Sequence, residues 1–124
     1  MKFCEYYISD INGKSNCVIR SFCKLYNLDY DCVYNELVSI SNELNCNFND
    51  IDVFEEFMKR RNTFKIDYGV NLLIKDINLD KGSYVIFCWD KEDFYHMISC
   101  IDGVLYDKNQ NYENLSILCI YKKK

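Results

Sequence analysis

Apolar residues at Val18, Ile19, Phe22, Cys23, Leu25 and Tyr26 recur with helical spacing. Directly before them stands Asn12-Gly13-Lys14-Ser15-Asn16, a cluster of turn and capping residues. The pattern predicts a helix beginning near Asn16, with Ser15 or Asn16 as N-cap and Cys17 in the first turn. Upstream, Cys4 to Ile8 reads as a short edge strand or an irregular arm. A second helix, capped by Asp29 or Asp31, presents Val33, Leu37, Ile40 and Leu44 on one face. A third opens at Asn49 or Asp50 and turns Ile51, Phe54, Phe57 and Met58 inward. Its acids come early and Lys59, Arg60 and Arg61 come late, the order that suits the helix dipole.

The second half changes period. Phe64 to Tyr68 alternates like a strand, and Asn71 to Ile77 is read as a short helix with Leu73, Ile74 and Ile77 inside. After the turn Lys81-Gly82-Ser83, Tyr84 to Trp89 reads as a buried strand. His96 to Ile101 and Val104 to Asp107 flank Asp102-Gly103, a strong two-residue hairpin signal. Ser116 to Tyr121 reads as a last strand. Helices followed by an antiparallel sheet make an α+β plan in one domain, residues 1–124.

Composition narrows the function classes. With 49% apolar and 16% aromatic residues the chain has ample material for one core. A net charge of -4 speaks against a nucleic-acid partner held through backbone phosphates. The first ten residues carry Glu5 and Asp10 and lack the apolar run of a signal peptide. No stretch reaches the ~18 apolar residues of a membrane span. The expected location is the cytoplasm. Lys122, Lys123 and Lys124 read as a solvated tail.

Eight cysteines remain, without a C-x-x-C pair and with a single histidine, so neither a structural metal site nor any cofactor is expected. Cys23, Cys88, Cys100 and Cys119 sit in apolar surroundings and read as small buried hydrophobes. Cys17 differs. Helix N-terminal N–H groups lower a thiol pKa, a nearby imidazolium lowers it further, and His96 is the one imidazole in the chain. The hairpin register pairs Ile101 with Val104, Ser99 with Tyr106 and Ile98 with Asp107, which leaves His96 opposite Asn109. His96 and Asp107 then share a face as diagonal neighbours, roughly 7 Å apart at the backbone and within side-chain reach. The candidate constellation is Cys17 as nucleophile, His96 as base and Asp107 as the group that orients it, with Asn109 in reserve.

Asn16-Cys17-Val18-Ile19-Arg20-Ser21, then Tyr30-Asp31-Cys32-Val33-Tyr34-Asn35-Glu36-Leu37, then Asn49-Asp50-Ile51-Asp52-Val53-Phe54 stand in that order. Lys81-Gly82 and the run His96 to Asp107, with Ile101-Asp102-Gly103-Val104 and Tyr106-Asp107 inside it, follow. This series resembles a family of small papain-like cysteine peptidases encoded by bacteriophages and prophages, itself similar to the peptidases that remove double-glycine leaders from bacteriocins. The resemblance spans about Asn16 to Asp107. It implies a papain-like fold, the same three site residues, and a peptide or protein substrate.

The chain departs from that pattern in three places. Papain-like enzymes often place a glutamine upstream of the cysteine, whereas the one glutamine here is Gln110. Asn12 or Asn16, with the Cys17 N–H, is the candidate oxyanion donor. Tyr95 stands where the family has a small residue before the histidine. The Asp-Thr-Trp-Asp ending is replaced by Asp107-Lys108-Asn109-Gln110. Arg20 is read as the salt-bridge partner of an acid. A second function class is a protein that keeps the fold and binds a host defence protein through its acidic surface.

Overall fold

The computed structural model describes residues 2–67, 72–89, 95–108 and 114–124. The chain opens with strand β1 (Lys2–Glu5), then helices α1 (Cys17–Tyr26), α2 (Tyr30–Leu44) and α3 (Ile51–Lys59). Strands β2 (Thr63–Ile66), β3 (Ser83–Trp89), β4 (Tyr95–Ile101), β5 (Val104–Asp107) and β6 (Ser116–Lys123) follow, with a 3₁₀ turn at Ile74–Asp76 between β2 and β3. The class is α+β, as expected.

Each helix starts where a side-chain oxygen meets the first orphan amides. Asn16, Asp29 and Asp50 are the caps, and each accepts from the backbone N–H of the second or third residue of its helix, Asn16 from both. With only four glycines in the chain, asparagine supplies the left-handed residues that end helices: Asn27 and Asn45 both lie at φ 55. One face of the helices is closed by Phe22, fully buried and stacked on Phe57 at 4.5 Å between ring centroids. Truncating such a ring costs about 3–5 kcal/mol.

The six strands form one sheet in the order β1-β5-β4-β3-β6-β2. The helices cover one face, where Phe22, Val33, Leu37 and Phe57 meet Val85, Met97 and Tyr121. A second core of Ile74, Ile77 and Leu79 against Ile86, Ile98, Cys100 and Leu105 covers the other. Alternation along β3 and β4 divides their side chains between the two cores.

The β4–β5 hairpin has the expected register, with Ser99, Cys100 and Ile101 opposite Tyr106, Leu105 and Val104. Its turn residues Asp102 and Gly103 both have positive φ, 49 and 80, the geometry that a two-residue turn between twisted strands requires. The Asp102 Oδ1 accepts from Gly82 N at 2.9 Å, which ties this turn to the start of β3.

Several expectations are corrected. The sheet is not wholly antiparallel: β1 joins β5 in parallel. A parallel pair needs a long crossover, and the chain between β1 and β5 supplies one. Leu44, the last residue of α2, is 42% exposed. Cys119 is half-buried, its thiol 3.4 Å from the Tyr121 hydroxyl. The short helix shrinks to the 3₁₀ turn, and Leu73 instead bridges Ser116. Lys122 and Lys123 are not a loose tail but part of β6, paired with Phe64 and Thr63. Tyr68, Asn71, Asn109 and Gln110 lie outside the described residues.

Candidate active site

Cys17 is the first residue of α1 and half-buried. The helix begins there because Asn16 leaves helical geometry (φ -136, ψ 131) and turns its Oδ1 onto the Val18 and Ile19 amides, at 2.8 and 3.2 Å. The Cys17 N–H is at the first helical position, where no intrahelical acceptor exists. Ser21, one turn on, fixes this end of α1 to the sheet: its hydroxyl lies 2.8 Å from Cys17 O and 2.9 Å from Met97 O. Met97 is the neighbour of His96 on β4. The main chain of Cys17 and that of the residue after His96 thus meet at one hydroxyl.

The hairpin ladder ends at Ser99–Tyr106, one step before the expected Ile98–Asp107 pair. The side chains nonetheless meet as predicted. His96 Nε2 is 2.7 Å from Asp107 Oδ2. Nε2 is therefore committed to the carboxylate, and Nδ1 is the ring nitrogen that remains for the thiol, with which the ring interacts.

The electrostatics follow from these contacts. Burial pushes the Cys17 thiol up, but the His96 hydrogen bond and charge, the Met97 N–H and Arg20 outweigh it, so its pKa falls below the ordinary thiol value. Burial pulls His96 down, but Asp107 and Cys17 raise it to about 9. Burial also raises Asp107, and the His96 contact, the Lys108 N–H and Arg20 reverse this, leaving it below the usual carboxylate range. The three shifts all favour a thiolate beside an imidazolium beside a carboxylate.

Next to Cys17 lies a cleft of about 380 Å³, lined by Asn16, Cys17, Val18, Asn49, Phe54, Phe87 and Tyr95. Tyr95 stacks on Phe87 with ring centroids 5.9 Å apart and forms the wall of the cleft while remaining 56% exposed. Asn16 borders the thiol, and its Nδ2 is the arm of the amide not used in capping. Asn12 sits on the exposed loop organised by Asp10, whose Oδ1 accepts from Asn12 N and Lys14 N, and it does not line the cleft.

Two groups were missed from the sequence as parts of this site. Ser21 was read only as a position in α1. Arg20 was correctly given an acidic partner, but not which one: its Nη2 is 2.8 Å from Asp107 Oδ1, with both side chains 7% exposed. The Asn-Cys-Val-Ile-Arg-Ser run held the only signal, since residues three and four after Cys17 lie on its face of the helix.

Among the described residues, no group of three or more His, Cys, Asp or Glu side chains is placed to hold a metal ion, and no helix is long and apolar enough to cross a membrane. No protein-family model, curated protein or solved structure matches this chain.

Proposed function

We propose that this chain is a cytoplasmic thiol hydrolase of papain-like fold, akin to the phage-encoded peptidases its motifs resemble, that cleaves a peptide, isopeptide or amide bond. The observation that carries the reading is the His96 Nε2–Asp107 Oδ2 contact of 2.7 Å with the lowered Cys17 thiol at the other side of the ring. The thiolate adds to the carbonyl carbon. The Cys17 N–H and the Asn16 Nδ2 are the candidate donors to the oxyanion. His96 passes its proton to the leaving nitrogen as the C–N bond breaks, and a thioester remains on Cys17. Water then attacks the thioester, His96 takes its proton, and release of the acid restores the thiolate–imidazolium pair. The cleft has room for one large apolar side chain of the substrate, against Val18, Phe54, Phe87 and Tyr95.

The test is hydrolysis of a pool of fluorogenic peptidyl amides, alongside iodoacetamide labelling of each cysteine across pH. Labelling of Cys17 should begin below pH ~8.5, the ordinary thiol value, and persist at high pH. Hydrolysis should fall as His96 loses its proton near pH 9, because the leaving group then lacks a donor. Equal hydrolysis by Cys17→Ala, or labelling of Cys17 that begins no lower than that of an ordinary thiol, would overturn the proposal.

A further inference from the structure

Asp107 is engaged on both oxygens. Oδ2 meets His96 Nε2 at 2.7 Å, and Oδ1 accepts from Arg20 Nη2 and from Lys108 N, each at 2.8 Å. Arg20 is itself 6% exposed, and its other nitrogen, Nη1, donates to Ser15 Oγ at 3.0 Å. The guanidinium thus clips the loop before α1, the helix and the end of β5 to one another. A buried ion pair is a poor source of net stability, since apolar side chains of like size often do as well. Its place here is better explained by charge. Thiolate, imidazolium, carboxylate and guanidinium sum to zero. Without the guanidinium the same buried cluster carries one net negative charge, and protonating the thiolate is the easiest way to shed it.

We infer that Arg20 is a positioning residue of this site: it holds Asp107 against His96 and cancels its charge, so that the carboxylate orients the ring without discouraging the thiolate. The inference rests on the thiol-hydrolase reading of Cys17 and His96. Among the described residues, the other charged or titratable groups beside the cluster do not supply this balance: Lys108, next to Asp107, carries its Nζ over the Tyr7 ring at 5.2 Å. Cys88, opposite His96 on β3, is a thiol that burial keeps protonated. Glu5, the register neighbour of Asp107 on β1, is exposed and of the wrong sign. Lys24, one turn beyond Arg20, lies over the Tyr106 and Tyr6 rings at 4.2 and 5.3 Å.

The experiment is the pH dependence of Cys17 alkylation by iodoacetamide in five proteins: wild type, Arg20→Met, Arg20→Lys, the double variant Arg20→Met/Asp107→Asn, and His96→Ala. Arg20→Met should move the acidic limb up by roughly one pH unit, about tenfold in rate on that limb. Arg20→Lys keeps the charge and should stay within a few tenths of a unit. The double variant removes both charges, leaves a neutral acceptor for His96, and should return most of the way to wild type. Loss of folded protein lowers the amplitude of the profile but does not move its limb, so a merely structural role is distinguishable. The inference is overturned if Arg20→Met leaves the limb in place while His96→Ala shifts it. It is equally overturned if the double variant lies no nearer to wild type than Arg20→Met. Should Arg20→Met fail to fold, the double variant, with no unpaired charge, decides alone: a limb displaced by a full unit or more overturns the inference. An unmoved limb in His96→Ala would instead remove the hydrolase reading itself.

Discussion

Two thiols lie against His96, and they behave oppositely. Cys17 meets the ring from the start of α1, and its pKa is lowered. Cys88 sits opposite on β3, donates to the His96 carbonyl at 3.3 Å, is fully buried, and has its pKa raised far above the ordinary value. Burial acts on both in the same direction. What separates them is the partner. Cys17 receives an imidazolium, a backbone N–H and a guanidinium, all of which favour the anion. Cys88 meets a carbonyl, and the negative charges of Cys17 and Asp107 discourage its own. Cys23 and Cys100, pushed up to about 12 and about 11, fall with Cys88. Donors and cations lower a thiol's pKa here, and burial without them raises it.

The contrast can be broken most sharply at His96. In His96→Ala the burial of Cys17 is no longer offset by its main partner, and Cys17 should join the raised group. Its alkylation rate at pH 6 should fall about 100-fold or more, read by mass spectrometry of labelled peptides. Asp107 keeps Arg20 in that variant, so the fold is not left with an uncompensated charge.

The same histidine links the site to stability. Its folded pKa of about 9 lies above the unfolded value of ~6.5, so protonated His96 favours the folded state. That contribution is fully present below pH ~6.5 and is lost as pH rises through about 9. Urea unfolding of wild type and His96→Ala at pH 6 and pH 10 should show a gap that narrows at the higher pH by on the order of 3 kcal/mol. A gap independent of pH would mean that the ring contributes packing alone.

Asn16 tests the helix-start side of the comparison. Asn16→Ala should lower stability by about 1 kcal/mol through loss of the cap, and Asn16→Asp should restore stability. If Asn16 also receives the oxyanion, Asn16→Asp should not restore hydrolysis, because Asp has no amide N–H to donate. Full hydrolysis in Asn16→Asp would leave the Cys17 N–H as the donor.

The smallest effect is expected at Cys88. Cys88→Ala removes the inert thiol, and the acidic limb of Cys17 alkylation should move by no more than a few tenths of a pH unit. A shift of a full unit would mean that the two thiols act as one system.

Local readings were legible because local chemistry decides them. Asn16, Asp29 and Asp50 cap helices through atoms two or three residues away. Asp102-Gly103 sets the hairpin register within two residues, and that register brought His96 and Asp107 together. Leu44 and Cys119 were misread because periodicity gives the direction of a side chain along its element, not whether the neighbouring element extends far enough to cover it.

By itself the sequence determined the three helices, the β4–β5 hairpin, and the candidate group of Cys17, His96 and Asp107. Each of these follows from capping, periodicity or turn geometry acting over a few residues, or from the scarcity of imidazole in the chain. Only the tertiary structure decided that β1 lies parallel to β5, that Ser21 bridges Cys17 to Met97, and that Arg20 reaches Asp107. Arg20 and Asp107 are 87 residues apart in the chain. Nineteen acids competed for that guanidinium in the sequence, and the choice among them was made by the packing of α1 on β4 and β5.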